Sequence, residues 1–287
     1  MSWVTWRQHS REAALAGSIL ALIAAFLVFE WIQMSSASLQ LGLGSCRDNN
    51  AGTACGQALN SYMQNFFGMS VTVRYALTAL PALLGVFVAA PLLAREVEQG
   101  THTFIWTQSI TRTRWFTIKV GLLAFFTVVS ASALAGAVTW WHQPLDQMYG
   151  NGQWTFYEVT GPVPIAYAVF ALALGLAVGS VILRTVPAMA ATLLVFVVTR
   201  VAIQSWRPWF LAPMTKELPL PASDTSLRGA FEVSTPTVNS LHGVVDLVVY
   251  QPADRFWTFQ AIETGIFLFL ALLLIGISAW SLRHRIH

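Results

Sequence analysis

Charge is what this sequence has least of. Asp, Glu, Lys and Arg together make up 10% of its 287 residues, against about 25% in soluble domains. A mean hydropathy of +0.59 completes the exclusion of a soluble globular chain. Lysine is nearly missing, and the two present, Lys119 before Val120 and Lys216 after Thr215, complete no G-x-x-x-x-G-K-[ST] loop. This chain therefore has no Walker site for ATP, because that site needs glycine amides and a lysine around the phosphates. No H-E-x-x-H is present either. Two cysteines, Cys46 and Cys55, are too few for a disulfide framework, and zinc needs three or four ligands where no histidine lies nearby. None of the six histidines and no Asp is expected inside an apolar stretch, which leaves an intramembrane protease no buried machinery. Catalysis by this chain is not expected, and no metal or cofactor is expected in it. The pI of about 9.1 raises the question of nucleic acid. The basic residues cluster at the ends of apolar stretches, however, so membrane topology accounts for them and no nucleic-acid partner is expected. Abundant alanine, with arginine far ahead of lysine, suggests a high-GC bacterial genome.

What is plentiful is long apolar runs. A membrane-spanning helix needs roughly 20 apolar residues to cross about 30 Å of hydrocarbon. Six stretches qualify: Ala13–Met34, Tyr75–Leu93, Val120–Trp141, Val163–Leu183, Pro187–Ser205 and Ala261–Leu282. They run without alternation, so barrel strands are excluded. Ser36-Ala37-Ser38 resembles a signal-peptidase site, but the apolar core before it exceeds the roughly 7–15 residues of a signal peptide, so it reads as a retained helix. The expected fold is an all-α integral membrane protein, a single membrane domain over residues 1–287 with six transmembrane helices.

With both termini in the cytoplasm, the cytoplasmic segments carry Arg7, Arg11, Arg95, Arg112, Arg114, Lys119, Arg184, Arg283 and Arg285 against three acids. The other side holds Asp48, Asp146, Glu158, Glu217, Asp224, Glu232, Asp246, Asp254 and Glu263. The positive-inside rule favours this orientation. Trp140, Trp141, Trp206, Trp209 and Trp257 then mark outer span ends, and Trp106, Trp115 and Trp280 inner ones.

Residues 1–12 read as an interfacial helix, with Trp3 and Trp6 in the headgroups and Arg7 and Arg11 on anionic phosphates; the alternative is a basic terminus that only sets topology. Outside, a loop over residues 35–74 holds Cys46 and Cys55, which close a small disulfide on an oxidising face or remain two free thiols. The extracellular stretch 206–260, rich in Pro and Ser, ends in an amphipathic segment, 251–260, read as a possible re-entrant helix. Gly175 and Gly179, Ser132 and Gly136, and Ala13, Gly17 and Ala21 follow small-xxx-small spacing, suited to close helix contact within or between chains. Pro81 should kink the second span, and Pro187 suits the first turn of the fifth. Two charges fall inside spans, Glu30 and Arg200, each costly in lipid unless paired or hydrated. They pin two helices as an ion pair, or Glu30 serves as a proton or cation site.

The most telling segment is the polar insert 94–119, between the second and third spans. Ala94-Arg95-Glu96-Val97-Glu98 continues the second helix, Gly100 stops it, and Thr101 can cap a new start. His102 to Gln108 then offers Phe104, Ile105 and Trp106 as apolar knobs before Arg112, Arg114 and Lys119 lead back to the membrane. Such a short knobbed helix suits a groove on a soluble partner; the alternative is an amphipathic helix lying on membrane lipid.

Together, Glu96, Glu98, Gly100, Thr101, then Thr107-Gln108-Ser109-Ile110-Thr111-Arg112 and Lys119 resemble the E-x-x-x-G-T…R…K pattern of type-2 ABC-exporter permeases. Trp6-Arg7-Gln8-His9, and Tyr250-Gln251-Pro252-Ala253-Asp254-Arg255-Phe256-Trp257 before Glu263-Thr264-Gly265, are similar to small actinobacterial members. The resemblance spans the whole chain. It implies a permease of the bacterial cytoplasmic membrane, paired as a homodimer or heterodimer and driven by two copies of a separate ABC ATP-binding subunit, where ATP and Mg would sit. It implies that the insert holds the coupling helix, with Glu96, Glu98, Gly100 and Thr101 at its hinge and His102, Phe104, Ile105, Trp106 and Gln108 at the ATPase contact. It also implies an export cavity near Phe87, Val195 and Phe196. An apolar interior favours a drug, lipid or peptide as cargo. Two other classes compete: a proton-coupled antiporter using Glu30, and a membrane sensor whose insert recruits a signalling protein.

Overall fold

The computed structural model describes residues 2–46, 53–98, 112–149, 152–219, 227, 229–240 and 243–284. Helix α1 is Ser2–Gln40, α2 Leu43–Cys46 and α3 Thr53–Leu83. The chain continues through a π-helical stretch, Leu84–Ala89, into α4, Ala90–Glu98. Then follow α5, Arg112–Tyr149, α6, Gly152–Thr155, α7, Val163–Ile182, and α8, Thr185–Trp206. Strands β1 Met214–Pro219, β2 Phe231–Ser234, β3 Thr237–Ser240 and β4 Gly243–Gln251 precede α9, Phe256–His284. Among the described residues six helices are long and apolar enough to cross a membrane, with apolar spans at Ala21–Gln40, Ala54–Leu92, Val120–Asp146, Val163–Ile182, Thr185–Trp209 and Ala253–Ser281.

Several helices outrun the lipid. The 39 residues of α1 make a rod of about 58 Å at 1.5 Å per residue, twice the hydrocarbon thickness. Residues 2–12, expected as an interfacial helix, are helical and run without a break into the rest of α1. The loop expected over 35–74 is likewise largely helical, because α1 persists to Gln40 and α3 begins at Thr53. No helix-breaking Pro interrupts 53–74, so nothing stops α3 short of Pro81.

Two compact units emerge, one of residues 1–71 and 136–149, the other of 72–135 and 150–287. In the first, Leu27, Met34, Leu43, Tyr62, Val138, Trp141 and Leu145 are buried, and Trp31 stacks on Trp140 at 4.7 Å. Cys55 is disulfide-bonded, and the sequence holds one other cysteine, Cys46.

In the second unit α7 is the central pillar. Fourteen of its 20 residues are buried, which an apolar helix without a polar face permits. By contrast α8 buries one stripe, Ala188, Thr192, Phe196 and Arg200, at the i, i+4 spacing that aligns side chains on one face. Helix α9 buries Phe256, Phe259, Gln260, Glu263, Phe267 and Ala271 against α7. The aromatic layer of Trp154, Tyr157, Phe256 and Phe259 packs ring against ring at 5.3–5.8 Å.

Residues 206–260, expected as an extracellular loop with a possible re-entrant helix, carry a small antiparallel sheet among the described residues, an addition to the otherwise helical fold. Strand β4 is central, pairing with β1 from Met214↔Tyr250 to Pro219↔Val245, and with β2 and β3 on its other edge. Val244, Val245, Leu247, Val248, Val249 and Tyr250 are a β-branched and apolar run fit for a strand. Pro236 divides β2 from β3, and its carbonyl still accepts from the Leu247 amide at 2.9 Å. Leu218, Leu227, Ala230 and Val248 form the sheet's own small core. Residues 251–260 supply the end of β4, one 3-10 turn at Ala253–Arg255, and the start of α9.

Candidate functional site: the α4 end and a buried charge cluster

Pro81 lacks the N–H that would close its helical turn, and three residues later the chain passes into the π-helical stretch, where the Ala90 amide donates to the Gly85 carbonyl five residues back. Such insertions widen a helix and concentrate at functional sites. This stretch packs on α7 through glycines. A Cβ at Gly175 would lie 2.5 Å from the Gly85 carbonyl oxygen and 2.6 Å from Ala89 Cβ; one at Gly179 would lie 2.6 Å from the Ala90 carbonyl oxygen. The G-x-x-x-G pair therefore serves contact within the chain. Gly17 and Gly136 have nothing within 4 Å of where a Cβ would stand.

Ala90 and Ala94 of α4 are buried against Ala188 of α8, which brings the end of α4 to the elbow between α7 and α8. There Leu183 closes α7 in the left-handed conformation, φ 56°, and α8 starts without a side-chain cap from its own N-cap residue, Arg184. Glu98 fills that role from α4. Its Oε2 accepts from the Thr185 amide at 3.0 Å and from Thr185 Oγ1 at 2.6 Å. The Thr185 hydroxyl bond first, then the amide bond, hold the Glu98 carboxyl below its ordinary pKa. Its carboxylate is thus engaged within the chain, at the position the resemblance gives to the hinge before the coupling helix. Glu96 lies in the last turns of α4. Gly100, Thr101, His102, Phe104, Ile105, Trp106 and Gln108 lie outside the described residues.

At the other end of α7 and α8 is a buried charge cluster. Arg207, just past α8, donates from Nε to Glu263 Oε2 at 2.8 Å and from Nη2 to Glu263 Oε1 at 3.1 Å, a bidentate pair. Its Nη2 also lies 3.4 Å from Glu158 Oε1. Tyr167 on α7 donates a short hydrogen bond to Glu263. Arg200 Nη2 sits 3.3 Å from Glu158 Oε2, an ionic contact without hydrogen-bond alignment, while its Nη1 donates to the Thr78 carbonyl at 2.9 Å. The guanidiniums lie over aromatic faces, Arg200 4.1 Å above Tyr167 and Arg207 4.2 Å above Tyr157. Burial pushes the Tyr157 phenol above its ordinary pKa, with the Glu263 charge adding to the shift. Two arginines and two glutamates balance, which is how such charges survive burial.

Gln260 holds the loop that presents Glu158. Its Nε2 donates to the Tyr157 and Thr160 carbonyls at 2.9 and 3.3 Å, and its Oε1 accepts from the Val163 amide at 3.1 Å. Gly161, at φ +68°, passes where a Cβ would come within 2.9 Å of Gln260 Oε1.

Arg200 thus has a carboxylate neighbour in Glu158, a partner the sequence alone did not suggest. Of the expected cavity residues, Phe87 and Val195 are exposed, 62% and 42%, whereas Phe196 is 2% exposed and stacks on Phe170 inside the core. His142 and Asp146 lie within the apolar span of α5, 2.9 Å apart, with His142 buried. The expectation of no histidine or Asp in a span is corrected on that point, because α5 stays helical past Trp141 to Tyr149.

Residues 17–207 match the model of the family described as ABC-2 membrane transporter related. The chain belongs to that family. No curated protein and no solved structure matches it. The family's transporters are membrane permeases that generally work with ATP-binding subunits, and the six apolar helices agree with a multi-pass membrane protein of that kind. The match takes in Glu98, Glu158, Arg200 and Arg207, while Glu263 and the sheet lie beyond it. Sequence reading passed over Arg207 and treated Glu158 and Glu263 as ordinary outer charges. A faint signal existed: Glu158 and Arg207 stand beside the sequence-read apolar stretches and Glu263 just inside one, where lone charges are costly without partners.

Proposed function

We propose that this chain is the permease subunit of an ATP-driven exporter in the bacterial cytoplasmic membrane. It moves a hydrophobic or amphipathic cargo such as a drug, lipid or peptide, and pairs with a second permease copy. Two copies of a separate ATP-binding subunit, holding ATP and Mg, dock on the 94–119 segment of the cytoplasmic face. The observation that carries this reading is membership of the ABC-2 membrane transporter related family. The run of helix from Thr53 through Glu98 supports it, because the arm leaves its apolar span at Leu92 and leads into the segment that bears Phe104, Ile105 and Trp106. Both termini then lie in the cytoplasm, the sheet lies outside, and the charge cluster sits at the outer end of α7, α8 and α9.

The test is co-purification with candidate ABC ATP-binding subunits of the same genome. A stable complex with two ATP-binding subunits per permease pair is expected. Replacing Phe104, Ile105 and Trp106 together by alanine should dissolve it, since central apolar anchors commonly contribute about 2 kcal/mol or more each. A triple variant that co-purifies unchanged would place that segment on the lipid and move the contact elsewhere.

A further inference from the structure

We propose that Glu98 is a positioning residue that joins α4 to the first turn of α8, so that displacement of α4 along its axis carries α8 with it. This rests on the exporter reading above and deepens it, by naming the route through which movement at the cytoplasmic end enters the bundle. The first amides of any helix lack partners inside it. In α8 the N-cap residue supplies none, and the Thr185 amide and hydroxyl are both taken by one oxygen of Glu98. A carboxylate at a helix N-terminus is also favoured by the helix dipole.

The surrounding packing leaves little slack. The elbow before Thr185 has two residues, Leu183 and Arg184, with Leu183 already in the left-handed region. Ala90 and Ala94 touch Ala188 with small side chains, and the π-helical stretch and Ala90 abut Gly175 and Gly179 backbone to backbone. Close-packed contacts of this kind pass a shift on rather than absorb it. Along the rest of its length α8 is held by one buried stripe, with Phe196 on Phe170, up to Arg200, which reaches Glu158 and Thr78. The Glu98 carboxylate at the end of α4 is therefore an internal link to α8.

Amide hydrogen exchange tests this on the isolated chain in nanodiscs and on its complex with the ATP-binding subunit, with and without ATP and vanadate. In the isolated chain, Glu98→Ala should speed exchange at the Thr185 amide about tenfold or more, the loss of one hydrogen bond to a charged group. In the complex, ATP and vanadate should change exchange in α4 and in the first turn of α8 of the unmodified protein. In Glu98→Ala the response of α4 should remain and that of α8 should vanish. Thr185→Ser, which keeps the hydroxyl, should restore the response that Thr185→Val weakens. Should Glu98→Ala fail to fold, Glu98→Gln carries the same comparison with shape retained. An α8 response in Glu98→Ala equal to that of the unmodified protein overturns the proposal. An unmodified chain that binds no ATP-binding subunit removes the exporter reading and the transmission role with it, while unchanged Thr185 exchange in Glu98→Ala removes the link alone.

Discussion

Replacing Glu263 by glutamine removes one charge from the most deeply buried ion pair in the described structure and changes almost no volume. Glu263 and Arg207 side chains are 1% and 9% exposed, and the pair is bidentate at 2.8 and 3.1 Å. Breaking a buried pair by removing one partner costs about 3–5 kcal/mol, because the remaining charge is left without compensation. Two features place this case at the low end. The glutamine keeps one oxygen acceptor for Arg207 or Tyr167, and Glu158 stays 3.4 Å from the guanidinium. A loss of about 3 kcal/mol corresponds to a fall in Tm of about 6–12 °C for a chain of this size, at roughly 2–4 °C per kcal/mol. Thermal unfolding of the protein in nanodiscs reads that shift. The double variant Glu263→Met with Arg207→Met removes both charges, leaves Glu158 with Arg200, and should be more stable than either single change. A Tm within about 2 °C of the unmodified protein for Glu263→Gln, or a double variant as unstable as the sum of the singles, would refute the pairing.

Gly175→Ala should destabilise the protein by about 1–3 kcal/mol, since its Cβ meets backbone at 2.5–2.8 Å, whereas Gly136→Ala, facing open space, should be neutral or raise Tm slightly by helix propensity. Arg200→Gln should be partly rescued by Glu158→Gln, measured as Tm of the single and double variants. The disulfide of Cys55, whose one possible intrachain partner is Cys46, should contribute about 2–3 kcal/mol through a loop of about ten residues; reductant should lower Tm, and two alkylated thiols in unreduced membranes would contradict it. The Glu98 carboxyl has its pKa lowered by Thr185, so its contact is fully present above the ordinary carboxylate value. It is lost only as pH falls through the lowered one, which the pH dependence of Thr185 exchange will show.

All six spans are legible in the sequence because continuous apolar runs need only be counted, and the close contact of Gly175 and Gly179 follows from their spacing. Helix ends are not legible in the same way. Hydropathy marks the lipid-crossing part, Ala13–Met34, and is blind to a helix that continues in polar residues from Ser2 to Gln40. That blindness also placed His142 and Asp146 outside α5. The sheet was obscured by the Pro and Ser around it, although the β-branched run from Val244 to Val249 carried the signal. The charge cluster needed three dimensions: Glu158, Arg207 and Glu263 each sit at a different span end, where a lone charge is unremarkable in one dimension. The same holds for Glu98, whose motif marks a hinge but does not show that its side chain reaches Thr185.

The most direct measurement is ATP hydrolysis by the ABC ATP-binding subunit that co-purifies with this chain, in lipid nanodiscs, with and without the permease. The expected result is a turnover raised by the permease and returned to the subunit's own level by the Phe104, Ile105 and Trp106 alanine variant. Turnover that is the same with the permease, without it and with the variant would contradict the assignment of this chain as the subunit that ATP drives.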